Sequence, residues 1–174
     1  MSLNLHVKKI FLTILILLSI SACGYKPSSK FSRAVLGEKI STSVIISSQD
    51  PENTVIIKDA VDSAIIEVFH ASLTDKKYSD SHLVLSINNP TYAPVQYDND
   101  GYVIAYRMSI VLRITRYNKG VRKNYKAHGS YDFTVVPNAV VTDQDRFEAI
   151  KFSSQKAIRS FIAQVAAEGS KLKE

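Results

Sequence analysis

Apolar and polar positions along this chain recur with two different periods, and each change of period marks an element. The clearest segment runs through Tyr102, Ile104, Tyr106, Met108, Ile110, Leu112 and Ile114, with Arg107, Ser109, Arg113 and Thr115 between them. Successive side chains of an extended chain point to opposite faces, so the pattern predicts a long strand with one buried face. Asn118-Lys119-Gly120 supplies a turn, because Asn and Gly tolerate positive φ. The chain then returns with the same period, with Tyr125, Ala127, Gly129, Tyr131 and Phe133 inward and Lys126, His128, Ser130 and Asp132 outward. Pro137 and Asn138 close this hairpin.

Upstream, Leu83, Leu85 and Ile87 alternate with Val84, Ser86 and Asn88 as a further strand. Residues 88–94 break it, and a polar stretch ends at Asp98-Asn99-Asp100-Gly101. Residues 39–47, with Val44-Ile45-Ile46, read as a first strand. After a turn at residues 48–51, Asp50 can cap a helix that places Pro51 at its favoured first position. Ile57, Val61, Ala64, Ile65, Val68 and Phe69 recur there at helical spacing. A last helix spans residues 142–171, with Phe147, Ile150, Ser154, Ala157, Ile158, Phe161, Ile162 and Val165 as its inner stripe. Asp143 or Asp145 suits its positive N-terminal end. The order β-α-β-β-β-α predicts an α+β two-layer sandwich: two helices packed on one face of a mostly antiparallel four-stranded sheet.

The N-terminus follows neither period. Lys8 and Lys9 precede an almost wholly apolar run over residues 10–20, too short for a bilayer core that needs roughly 20 residues. It reads as a signal-peptide core ending at Ile20-Ser21-Ala22-Cys23. Small residues before the cut and a thiol after it are what lipoprotein processing requires, because the sulfur takes the diacylglyceryl group. Cys23 is the only cysteine, so it has no intrachain disulfide partner. Gly24 stands where Asp would signal retention in the inner membrane, which points to the outer membrane, on its periplasmic side. Residues 1–22 are thus the signal peptide, 23–34 the lipidated N-terminus with a Pro- and Ser-containing tether, and 35–174 one domain.

Charge singles out the hairpin. Residues 101–131 contain seven cations, Arg107, Arg113, Arg116, Lys119, Arg122, Lys123 and Lys126, and no Asp or Glu. A solvated, edge-protecting hairpin accounts for such lysines; the functional reading, which is preferred, is a docking surface for a polyanion. Nucleic acid is excluded as partner by export, which leaves phosphorylated lipid headgroups, lipopolysaccharide above all. Arg and Lys hold phosphate through charge-assisted hydrogen bonds. Catalysis finds no support: Cys23 is blocked by lipid, His70, His82 and His128 lack metal-ligand spacing, and no phosphate loop or nucleophile elbow occurs. Residues 98–101 lack the distal glutamate of a calcium loop and read as a turn. No catalytic residue, metal or cofactor is expected.

Cys23-Gly24-Tyr25 after the cleavage site, the strand and helix that follow, and residues 92–101 leading into Tyr102-Val103-Ile104-Ala105-Tyr106-Arg107 before a long last helix together resemble the lipopolysaccharide-assembly lipoprotein family, LptE. The resemblance implies a non-enzymatic outer-membrane subunit of the lipopolysaccharide translocon. Such a subunit sits as a plug inside the large β-barrel LptD, helps it fold, and binds lipopolysaccharide on its way to the outer leaflet. In that family basic residues at the tip of the sheet touch lipopolysaccharide, which here falls on Arg116, Lys119, Arg122, Lys123 and Lys126. The competing reading is a stand-alone lipoprotein that binds lipid or cell wall without a barrel partner.

Overall fold

The computed structural model describes residues 28–46, 51–69, 72–87, 90–137 and 139–171. Cys23, the signal segment and the Asp50 cap lie outside them. The hairpin forms as its periodicity requires, from β4 (Val103–Asn118) and β5 (Val121–Thr134) paired antiparallel from Ala105↔Thr134 to Asn118↔Val121. Its loop is two residues long, with Lys119 at φ 46° and Gly120 at φ 79°. Both positions are left-handed, as a turn matching strand twist demands. The strained position falls to Lys119, not to Asn118, and a left-handed non-glycine residue costs about 1 kcal/mol.

β4 is the spine of the sheet. β5 occupies one flank, and two strands share the other end to end: β2 (Ser81–Ile87) pairs with residues 112–117, and β3 (Thr91–Tyr97) with residues 103–109. β1 (Ile40–Ile46) lies beyond β2, parallel to it in the register Ile40↔Ser81. A parallel neighbour needs a crossover, and the helix α2 (Pro51–Phe69), which starts on the expected proline, supplies it. The sheet is therefore mostly antiparallel but has five strands, not four. β3 corrects the reading of residues 88–101 as a break and polar stretch. All seven of its residues are exposed, and its register shifts between Pro94 and Tyr97, so it never shows one apolar face.

Three helices, not two, back the sheet. α1 (Ser28–Leu36) replaces most of the expected tether over residues 23–34. It buries Ser32, Val35 and Leu36, and Gly37 at φ 83° ends it with its N–H donating to the Arg33 carbonyl at 2.8 Å. Its seat is the end of α3 (Asp143–Lys171), where any Cβ on Gly169 would overlap the Phe31 carbonyl. At its other end α3 is capped reciprocally: the Asp145 N–H donates to Thr142 Oγ1 at 3.1 Å, and the Thr142 N–H to Asp145 Oδ2 at 3.0 Å.

Between these ends α3 lies close on β5. Ala149, Ser153 and Ala157 are small, and Gly129 beneath them leaves no room for a Cβ against the Ser153 carbonyl. The core between the layers holds Ile57, Val61 and Ile65 of α2, Leu83 and Leu85 of β2, Met108, Ile110, Leu112 and Ile114 of β4, and Ile158, Phe161 and Val165 of α3. At the β3 end an aromatic ladder extends it, with Tyr92 edge-on to Tyr106 at 5.6 Å and Tyr106 stacked on Phe133 at 5.9 Å.

Candidate functional site

Strand alternation divides the seven hairpin cations among different environments. Arg107 lies far from the turn and is bound by Asp132, Nε to Oδ1 and Nη2 to Oδ2, each at 2.7 Å. Arg116 falls on the same face as Ile114 and so points at the helices. It is 6% exposed. Its Nη1 donates to the Val35 carbonyl of α1 at 3.0 Å, and Nη2 lies 3.4 Å from Glu168 Oε1 of α3. Arg116 thus leaves the set of five residues expected to meet lipopolysaccharide: its guanidinium is a structural cation under the helices.

Lys123 also lies on the helix side, at the rim, with Nζ 2.9 Å from Glu168 Oε2. The Tyr125 hydroxyl donates to the same oxygen at 2.7 Å. Burial alone would raise the Glu168 carboxyl, but Lys123, Tyr125 and Arg116 outweigh it and hold the group below its ordinary range. Burial, with the bond to Glu168, pushes the Tyr125 phenol well up. Asn118 completes this network, its amide donating to the Val35 carbonyl at 3.1 Å and to Ser81 Oγ at 3.0 Å.

The other face of the hairpin is open. Arg113 pairs in register with Lys126, Thr115 with Asn124 and Tyr117 with Arg122. Arg122 stacks over Tyr117 with its guanidinium carbon 5.9 Å from the ring centroid, and Thr115 Oγ1 donates to Asn124 Oδ1 at 3.0 Å. Toward the sheet edge, Ser86 and Val84 of β2 and Ile45 of β1 continue this surface, and together these residues line an open hollow of about 600 Å³. No acid lines it. Three cations around an aliphatic floor, with a hydroxyl and an amide between them, can hold a phosphate beside an apolar group. Lys119, in the turn, lines a separate hollow with Asn118 and Asp80. Of the expected set, the structure therefore brings Arg122 and Lys126 together with Arg113, leaves Lys119 at the tip and Lys123 at the rim, and buries Arg116. Arg113 was absent from that set. Only the pairing register, which follows from the turn length, identifies it as the neighbour of Lys126.

Elsewhere the chemistry is structural. His82 Nδ1 lies 2.8 Å from Ser41 Oγ, which in turn meets Ser79 Oγ at 2.8 Å. Ser41 is 3% exposed, and burial with the nearby Lys76 lowers the His82 pKa. This chain of groups ties β1 to β2. Among the described residues no three His, Cys, Asp or Glu side chains are placed to hold a metal.

A family model described as LptE, lipopolysaccharide-assembly, matches residues 41–165, from β1 through most of α3. No curated protein matches the chain. Among solved structures, rare lipoprotein B from Shewanella oneidensis is similar at 13% identity and a TM-score of 0.43, over 77% of this chain and 99% of that one. A lipoprotein from Caulobacter crescentus gives 15% and 0.47, over 84% and 97%. Lipoprotein B from Nitrosomonas europaea gives 14% and 0.42, over 84% and 93%. The family match covers most of the chain and every strand of the sheet: the chain belongs to the LptE family of lipopolysaccharide-assembly proteins.

Proposed function

We propose that this chain is a non-enzymatic outer-membrane subunit of the lipopolysaccharide translocon, anchored through acylated Cys23, that assists assembly of an LptD-like β-barrel, plugs it, and binds lipopolysaccharide during insertion into the outer leaflet. The observation that carries the ligand half of this reading is the basic hollow on the open sheet face, which no acid lines among the described residues. Arg113, Arg122 and Lys126 receive the phosphates, and Ile45 and Val84 meet the first acyl carbons. Arg suits a phosphate because its planar fork makes paired hydrogen bonds. The barrel half draws on family membership and on the polarity of the open face, since a barrel lumen is polar.

The two halves have separate tests. Charge reversal of Lys119, Arg122 and Lys126 together is expected to weaken lipopolysaccharide binding by at least on the order of a hundredfold at low salt, taking about 1 kcal/mol per cation near an anionic surface. Thermal stability should stay within about 0.5 kcal/mol, because all three side chains are exposed. Equal binding by parent and triple variant returns the cluster to edge protection. For the barrel, depletion of the chain should leave less folded LptD-like partner in the membrane. An unchanged barrel and unchanged surface lipopolysaccharide would end that half.

A further inference from the structure

A second basic group, far from the hairpin in sequence, stands beside its turn. The 3₁₀ turn Lys76–Tyr78 leads into β2, whose His82 is the register partner of Tyr117. Tyr78, Lys39 and Asp80 line one open hollow together with Asn118 and Lys119. Lys76 and Lys77 are exposed, and no carboxylate pairs with either among the described residues. The Lys77 ammonium lies 4.6 Å from the Tyr78 ring centroid. Tyr78 is 58% exposed, and Val121 at the hairpin turn 57%.

Among the described residues Glu38, Asp75 and Asp80 are the exposed acids of this end. Asp80 already spends Oδ2 on the backbone N–H groups of Glu38 and Lys39, each at 2.9 Å. Against these three stand Lys39, Lys76, Lys77, Lys119, Arg122 and Lys123, while the buried Arg116 offsets Glu168. The balance is positive, and aromatic and aliphatic side chains are interleaved with it. Amphipathic rings and cations at one end of a molecule suit the headgroup layer of an anionic bilayer.

With the Cys23 anchor proposed above, chain length holds this end near the membrane. Five residue steps separate Cys23 from Ser28, at most about 18 Å, and the nine residues of α1 add about 13 Å. The Val35 carbonyl at the end of α1 is bonded to Asn118, beside the turn. The opposite end of β4, sixteen residues long, lies about 50 Å further on.

We propose that the turn end of the sheet docks on anionic phospholipid headgroups of the leaflet holding the Cys23 acyl chains, with Lys76, Lys77 and Lys119 on the phosphates and Tyr78 and Val121 among the headgroups. The orientation rests on the anchor proposed above; the affinity for phospholipid does not, and it is measured without the anchor. The chain from residue 23 onward, which contains the whole described fold, carries Cys23→Ser and is floated with vesicles of phosphatidylcholine alone or of equimolar phosphatidylcholine and phosphatidylglycerol. Binding to the anionic vesicles only, lost at high salt, is the expected result. K76Q/K77Q should lower it about thirtyfold and leave lipopolysaccharide binding unchanged, because the open-face hollow is intact. Failure of the parent chain to prefer anionic vesicles, or parent-like binding by K76Q/K77Q, overturns the docking proposal whatever happens with lipopolysaccharide. Loss of lipopolysaccharide binding alone, in a Lys126→Glu chain that keeps Lys76, Lys77 and Lys119, bears only on the ligand reading.

Discussion

Glu168 is the acid on which the arrangement of the turn end depends, and Glu168→Gln isolates its charge. The substitution keeps the shape and leaves an oxygen for the Tyr125 hydroxyl, now 2.7 Å from Oε2. What disappears is the counter-charge for Arg116, which is 6% exposed and whose other acceptor is the Val35 carbonyl at 3.0 Å. Among the described residues Arg116 Nε has no partner, so the guanidinium has little left to compensate its removal from water. A buried charge stripped of its partner costs about 3–5 kcal/mol. The lower end applies here, because the Arg116–Glu168 contact is long at 3.4 Å and the Val35 carbonyl stays. A loss of about 3 kcal/mol is therefore expected in urea unfolding followed by circular dichroism.

Arg116→Met removes the cation instead and fills the same space. It should cost far less, since an apolar side chain in place of a buried ion is often neutral. Glu168 meanwhile keeps Lys123 and Tyr125. R116M/E168Q should then be more stable than E168Q alone. Acid adds a third reading. The Glu168 carboxyl is held below its ordinary 4.5, so its contribution is present above that pH and fades as pH falls through the folded value. The parent should lose that increment in acid and E168Q should not. An E168Q chain within about 1 kcal/mol of the parent, or a double variant less stable than E168Q, refutes the account of Arg116 as a compensated buried cation.

Three further outcomes follow from the packing and the turn. Gly169→Ala should lift α1 from its seat at a cost of about 1–3 kcal/mol, seen as faster chymotryptic cleavage after Phe31. Lys119→Asn should raise thermal stability by about 0.5–1 kcal/mol, because Asn tolerates the left-handed position, while weakening lipopolysaccharide binding; no gain in melting temperature counts against the strain. Ile110→Asp should unfold the chain, since Ile110 is 2% exposed beneath the helices and an unpaired charge has no partner there. A native circular dichroism spectrum would contradict that.

Much of this architecture is legible in the alternation of residues. Met108 through Ile114, and Tyr125 through Phe133, take the faces their period assigns, as does the Ile57–Phe69 stripe of α2. β3 is illegible for a physical reason: a strand exposed along its whole length, with Pro94 and a register shift, has no reason to alternate. α1 is short and rich in serine, and what holds it is Gly169, at the far end of the sequence. The site was legible as charge but not as geometry. Arg116, two residues beyond Ile114, continues the buried face, so its inward turn could have been read from the period alone. Its acceptor on Glu168 and the approach of Lys76 and Lys77 depend on pairings that no local pattern encodes, whereas the partnership of Arg113 with Lys126 follows from the length of the turn.

Because β2 and β3 share one flank of β4, the sheet tapers, four strands across beside the turn and three at the other end. Among the described residues the narrow end has no parallel pair, and the Tyr92–Tyr106–Phe133 ladder lies over it. Backbone amides of β3 should therefore exchange with deuterium through local fraying, while those of β2 and the turn half of β4 wait for the whole molecule to open. The same chain thus joins a yielding edge to a rigid head, and a partner that grips the yielding edge would slow exchange there while leaving the head untouched.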